Sequence, residues 1–310
     1  MAQATALEDA RPDSLRRPRR PRRPRRVGRQ SSGGGRAGRT PISYLALVVL
    51  GALALAMVAP FVLVVMNGVK TSTDYAAHGP LSVPQSLSLA NLQTFWQQVD
   101  FGQVLVNSVL ISACVAVFAV LLSILSAYAL GIGRIKGRTT ILVLFLLANL
   151  LPQEALIYPL YYLANQLGLY DTRLVVIIIF TVIQSAFGTY LLSSVLGAFP
   201  RELLEAARID GAGVWRILWR IVVPISRPTI TVMLTFFFIW TWNEFLIPLV
   251  LLPSNQNETV PVALGLAQGE HMVDVTMQAA SALLGIFPAI VFFLIFQRTL
   301  SRGITLGAIK

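Results

Sequence analysis

Six stretches of the chain are long and apolar enough to cross a hydrocarbon layer of about 30 Å as helices rising about 1.5 Å per residue. They run approximately from Tyr44 to Met66, Asn107 to Gly131, Thr139 to Leu163, Leu174 to Leu196, Thr229 to Leu252 and Met277 to Gln297. A soluble domain has no core large enough for so much uninterrupted apolar surface. Charged residues make up only 13% of the chain, against about 25% in soluble domains. The runs are continuous rather than alternating and about twice the length of an outer-membrane strand, so helices rather than a barrel are predicted. The expected fold is therefore all-α: a polytopic membrane protein with six transmembrane helices. Only the third and fifth runs hold a charged residue, Glu154 and Glu244. A single cysteine, Cys114, rules out an intrachain disulfide or a cysteine metal cluster. His78 and His271 have no partners at ligand spacing, so neither a metal nor a nucleophilic site is expected.

The positive charge is concentrated at one end. Twelve of the 25 lysines and arginines lie in the first 39 residues, including the run RRPRRPRRPRR from Arg16 to Arg26. With too few apolar side chains to offset the entropy of ordering, residues 1–40 are expected to form a disordered basic tail ahead of a membrane domain at 41–310. A nucleic-acid arm is one reading of such a run. A tail tethered close to a membrane span is better suited to orienting the chain or meeting anionic lipid. GGGRAGRT at 33–40 resembles a phosphate-binding loop, but Arg39 stands where its lysine belongs, and neither a strand before it nor a helix of a βα unit after it is predicted. No nucleotide site is therefore expected on this chain, nor is a cleaved leader, since the first run lacks a small-residue cleavage site.

The remaining basic residues set an orientation, because short cytoplasmic loops accumulate lysine and arginine. Placing both termini inside puts Arg134, Lys136, Arg138, Arg201, Arg208, Arg216, Arg220, Arg227, Arg298, Arg302 and Lys310 on the cytoplasmic side, with only Lys70 and Arg173 outside. The first external loop contains an amphipathic stretch in which Leu92, Phe95, Trp96 and Val99 share helical spacing. It suits either an interfacial anchor or the docking of an external partner.

The cytoplasmic loop 197–228 is the most informative segment. Arg201 to Asp210, RELLEAARID, joins strong helix formers with an acid in the first turn, where the dipole favours it. Gly211 and Gly213 are expected to break that helix. VWRILWRIV at 214–222 then resumes helical spacing, and Pro224 is expected to stop it. Ala206 and Ala207 would let another surface approach closely, with Glu205 and Asp210 giving charged register.

Glu205-Ala206-Ala207, Gly211, Ile221 and Pro224 resemble the E-A-A-x3-G-x9-I-x-L-P signature of ABC importer permeases, with Val223 in place of the leucine. The resemblance extends over about residues 40–310. LPQEALIYPLYYL at 151–163, IDGAG at 209–213, WNEFLIPLVLL at 242–252 and QRTLSRGITLGAIK at 297–310 resemble the smaller maltose-type carbohydrate permeases. The closing GITLGAIK departs from their usual ending, and the basic tail has no counterpart among them.

That resemblance implies a multi-pass cell-membrane subunit working beside a second, related permease, two cytoplasmic ATP-binding subunits and an extracytoplasmic solute-binding protein. ATP and Mg would be used by the partner ATPase, with no cofactor on this chain and no nucleic acid. It further implies that the helix around Glu205 to Gly211 seats in the ATPase, with Pro224 leading into the fifth span. For the substrate path, intramembrane acids usually face a cavity. Glu154, Tyr158, Tyr161, Trp240, Asn243 and Glu244 are the candidates for binding sugar there, though tyrosine and tryptophan near span ends also serve as interface anchors. An importer for phosphate, polyamine or amino acid would share the loop signature. An ion-coupled carrier should instead carry repeated broken helices and paired intramembrane charges, and a membrane enzyme clustered His, Asp or Glu.

Overall fold

The computed structural model of the chain describes residues 41–133, 135–270 and 274–308. The basic tail at 1–40, Arg134, His271 and Lys310 lie outside them. Every regular element among the described residues is a helix. The chain divides into two units, Met1–Leu53 and Ala54–Lys310. The described part of the first is the opening half of α1 (Pro41–Gly68), which is exposed from Tyr44 onward.

The second unit is built around α4 (Phe101–Gly131), packed against α7 (Arg173–Gly197) and α11 (Arg227–Trp242). Lipid tails are as apolar as leucine, so helices in a bilayer associate through close contact and hydrogen bonds rather than the hydrophobic effect. The α4 face toward its neighbours is accordingly built from small residues one turn apart, Ala116, Ala119, Ser123 and Ala127, all buried. Gly188 of α7 lies opposite. A Cβ there would collide with the Ser123 hydroxyl and come within 2.8 Å of Met233 and 2.9 Å of Phe237 on α11. Ser123 donates to Ala119 O at 2.7 Å and across the helix pair to Ser185 O at 3.2 Å.

Among the described residues, four helices are long and apolar enough to cross a membrane, Tyr44–Gly68, Phe101–Gly131, Arg173–Gly197 and Val275–Gln297, or six spans if each of two bent helix pairs is one. The third and fifth runs are not single straight helices, contrary to expectation. The third is divided into α5 (Arg138–Asn149) and α6 (Gln153–Gln166), bent by 94°. The fifth stops at Trp242 and resumes as the short α12 (Leu246–Leu251). Proline supplies part of the cause, since Pro152 and Pro248 cannot donate to the ladder and their rings crowd the carbonyls of Ala148 and Glu244 four residues back. It is not sufficient, because Pro60, Pro159 and Pro288 lie inside unbroken helices. At both breaks an asparagine turns its amide onto the preceding turn, Asn149 to Phe145 O at 2.9 Å and Asn243 to Ile239 O at 2.7 Å.

Between α1 and α4 the expected external loop is an ordered cap. Lys70 is fully buried and donates to Gly79 O at 3.0 Å and Ser82 Oγ at 2.9 Å. In α2 (Ser72–His78), His78 Nδ1 lies 2.9 Å from Asp74. The amphipathic stretch forms α3 (Ala90–Gln98). Its Phe95 is buried in the main apolar cluster, while Trp96 remains exposed and packs on Phe101 with ring centroids 5.1 Å apart.

After α13 (Val260–Glu270), α14 (Val275–Ala308) begins at Asp274, whose carboxylate accepts from the amides of Thr276 at 3.0 Å and Met277 at 3.1 Å. The same carboxylate accepts from the Ser72 hydroxyl at 3.2 Å, and Asn91 donates to Thr276 Oγ1 at 2.8 Å, tying α2 and α3 to the start of α14. Burial alone would raise the Asp274 carboxyl, but the Thr276 hydroxyl, the Met277 amide, the Ser72 hydroxyl and the Thr276 amide together hold it below its ordinary value. A depressed carboxyl stabilises the fold above its unfolded-state value and loses that contribution as pH falls through the folded one. Asp274→Ala is expected to cost about 0.5–2 kcal/mol at neutral pH. Thermal unfolding in detergent should show the gap from wild type closing as pH falls below the ordinary aspartate value of about 3.9; a gap independent of pH would contradict the capping role.

Candidate functional site

The segment after α7 folds into a compact helix-turn-helix. α8 (Arg201–Ile209) places Glu202 in its first turn and Arg208 in its last, complementing the helix dipole at both ends. One face, Leu204 and Ala207, packs into the main apolar cluster. The helix closes in a Schellman arrangement: Ala212 N donates to Ala207 O at 2.9 Å and Gly211 N to Arg208 O at 3.0 Å. Gly211 has φ 76°, the left-handed conformation that this closure requires and that residues with a Cβ rarely adopt. Nothing lies within 4 Å of where its Cβ would be, so the demand is conformational rather than spatial.

After the turn come α9 (Val214–Ile217), one π turn (Leu218–Val222) and α10 (Val223–Ile225), bent by 78° from α11. Pro224 was expected to stop this helix, yet the helix runs past it to Ile225. A proline needs no donor of its own but needs room against the carbonyl four residues back, and the wider π register before it supplies that room. The chain turns at Ser226, which is buried.

The six residues of the loop signature and Asp210 do not share one surface. Glu205, Ala206, Asp210 and Gly211 face outward, whereas Ala207 is buried, and Ile221 and Pro224 are partly buried, Ile221 against the core. The expectation that Ala207 opens to a neighbouring surface is therefore corrected, since the same amphipathic pattern that buries Leu204 turns Ala207 inward. Sequence reasoning also missed three apolar side chains on the outer surface: Ile209 is 87% exposed, Trp215 65% and Val214 63%. Their signal was available in the sequence, since Ile209 lies off the face that carries Leu204 and Ala207. Such apolar side chains, rimmed by Glu205, Asp210 and Arg216, are characteristic of a docking surface.

A second cluster forms where the third and fifth runs break. Glu154 opens α6 and Glu244 follows the end of α11. The Glu244 carboxylate accepts hydrogen bonds from the side chains of Gln153 and Trp240 and lies within electrostatic range of Glu154. Three of the predicted path residues, Glu154, Trp240 and Glu244, thus come together from elements separated by about 90 positions of sequence. Tyr158 and Tyr161 follow Glu154 at i+4 and i+7 and share its face of α6. Tyr158 is exposed, and Tyr161 packs edge-on against Tyr170 with centroids 5.1 Å apart. Asn243 commits its amide donor to Ile239 O. Trp240 also meets Phe187 of α7 edge-on at 6.2 Å.

Residues 119–305 match the family model of the binding-protein-dependent transport system inner membrane component. The chain belongs to this family. It is 27% identical over 276 residues to the melibiose/raffinose/stachyose import permease MelC of Bacillus subtilis, covering 89% of this chain and 99% of that one. It is 30% identical to the lactose transport permease LacG of Rhizobium radiobacter over 262 residues, 84% of this chain and 94% of LacG. The fold is that of a chain from a bacterial ABC transporter involved in import of the acidic polysaccharide alginate, with a TM-score of 0.71, 20% identity, and coverage of 83% of this permease and 95% of that chain. The family match takes in both the helix-turn-helix and the paired breaks of this permease.

The opposed burial of two adjacent alanines makes a direct check of the loop. With the lone Cys114 replaced by alanine, Ala206→Cys is expected to react with a soluble maleimide at least about tenfold faster than Ala207→Cys, since the reactivity of a thiol follows its exposure. Equal rates would contradict the packing of α8.

Proposed function

We propose that this permease is one of two related membrane subunits of an ATP-driven, binding-protein-dependent carbohydrate importer. Its loop 197–228 couples the membrane helices to a cytoplasmic ATPase. The observation that carries the reading is the rigidly closed α8, which presents Glu205, Ala206, Asp210 and Ile209 to solvent while Leu204 and Ala207 fix it to the bundle. The sugar-transport names of the related permeases support the substrate class. The distribution of lysine and arginine supports placing both termini and this loop in the cytoplasm.

ATP and Mg belong to two partner subunits, and this chain hydrolyses nothing. A solute-binding protein delivers sugar to the opposite face. A motor can bias access to a path only through contacts that differ between its open and closed states. Ile209, Val214 and Trp215 supply apolar contact for this, and Glu205 and Asp210 supply register. Gly211 and Pro224 shape the connection that carries the displacement into α11. At the helix breaks, Glu154 and Glu244 accept from sugar hydroxyls, and Tyr158, Tyr161, Trp240 and Asn243 offer aromatic faces and polar edges. Two adjacent carboxylates suit a neutral glycan better than an anionic one.

Gly211→Val tests the coupling. A β-branched residue in the left-handed region costs about 1–3 kcal/mol, enough to displace the turn without filling any occupied space. In the reconstituted importer, uptake of labelled oligosaccharide is expected to fall about tenfold or more while ATP hydrolysis persists. Unchanged uptake would remove the loop from the coupling path. Trp240→Ala tests the substrate site: uptake should weaken through a raised apparent KM, with ATP affinity unaltered. A variant with wild-type kinetics for every sugar carried would place the path elsewhere.

A further inference from the structure

A cavity of about 120 Å³ lies where α4, α7 and α8 meet on the loop side of the bundle. Arg138, Arg201 and Arg208 line it together with one carboxylate, Glu205. Two glycines keep it open. A Cβ on Gly197 would come within 3.1 Å of the Arg138 guanidinium, and one on Gly131 within 2.9 Å of Leu196 Cβ. Among the described residues, none of the three guanidinium groups has a carboxylate within 4.0 Å. The Arg138 side chain makes one long hydrogen bond, to Ser193 O at 3.3 Å, and those of Arg201 and Arg208 have no acceptor among the described residues.

A guanidinium carries five N–H donors in a planar fork, so this cavity gathers donors and positive charge far in excess of its own acceptors. Exposed arginines need no partner, but three converging on one recess repel each other unless an anion sits between them. Arginine forks match the oxygens of a phosphate in paired hydrogen bonds. The recess also lies at the ends of the apolar helices α4 and α7, beside Gly131 and Gly197.

We propose that this cavity is a binding site for a phosphate group, held by Arg138, Arg201 and Arg208. The group belongs to an anionic phospholipid or to a soluble phosphate. Because Arg138 starts α5 while Arg201 and Arg208 lie on α8, an occupant bridges the loop helix to the membrane helices and stiffens that joint.

The test uses the assembled importer in nanodiscs, with native mass spectrometry reading the lipid it retains. In discs of phosphatidylcholine with phosphatidylglycerol, the wild type is expected to keep phosphatidylglycerol. Arg138→Gln with Arg208→Gln should lower its retention about tenfold or more, since two of the three guanidinium forks that hold the phosphate are lost. Arg220→Gln with Arg227→Gln, an equal charge change outside the cavity, should retain it. In discs of phosphatidylcholine alone, binding of inorganic phosphate is measured with the same variants; a difference confined to that arm assigns the site to soluble phosphate. If the double variant does not assemble, Arg138→Lys, which keeps the charge but loses the fork, should retain an intermediate amount. Retention and phosphate binding indifferent to Arg138 and Arg208 overturn the proposal. Both readouts are independent of sugar uptake, so they stand apart from the function proposed above.

Discussion

A helix that breaks inside hydrocarbon leaves carbonyls that no water can satisfy, and each must find a donor within the protein. This constraint organises the two unusual spans of the permease. At both breaks an asparagine folds its amide back onto the carbonyl one turn earlier, Asn149 to Phe145 O and Asn243 to Ile239 O, the latter also accepting the Asn243 backbone N–H at 3.2 Å. The chain then leaves the helix axis, and Gln153, Glu154 and Glu244 come together where the two breaks meet. The polar cluster therefore sits where two helices end, with Glu154 exposed and Glu244 half-buried.

Around those breaks the rest of the bundle is made resistant to movement. The small-residue seam of α4 brings α7 and α11 so close that Gly188 tolerates no side chain. α7 is also fixed to α11 by a buried bond from Gln184 Nε2 to Thr241 Oγ1 at 2.8 Å, one residue after Trp240. Packed interfaces of this kind shift between discrete arrangements rather than deform gradually. The loop helix is secured in the same manner, with Leu204 and Ala207 inserted in the core and the Schellman closure leaving no slack at its end.

Much of this was legible in the residues. Long uncharged runs located α4 and α7, because a continuous apolar sequence in a bilayer has no competing solution, and Gly211 marked the turn because glycine adopts the left-handed conformation at the least cost of any residue in RELLEAARIDG. The breaks were less legible because hydropathy averages over them. LLPQEA and WNEFLIP are apolar enough on balance to pass for helix, and proline alone does not distinguish them from the intact helices around Pro159 and Pro288. What separates them is an asparagine placed ahead of the proline, a local hydrogen-bonding feature that no composition window detects. Pro224 misled in the opposite direction, since a π turn is a tertiary accommodation without a sequence mark. Ala207 misled because a signature motif records which residues recur and not which way each one faces.

The positions of these irregularities give the proposed coupling a physical route. α11 runs from the 78° bend at its loop end to the break at Asn243 and Glu244. Sixteen residues make it a rod of about 24 Å at the helical rise. It has the bent connection from the loop at one end and half of the carboxylate pair at the other. A rod between two bends can tilt as a body, because the φ and ψ changes are absorbed at its ends rather than along its length. Pulling the loop helix would then tilt α11 about its packing on Gly188, changing the position of Glu244 relative to Glu154 on α6. On this route a motor need not reach the proposed sugar site. It needs only to grip Ile209 and its neighbours, and the two breaks convert that grip into a change in the spacing of the carboxylates.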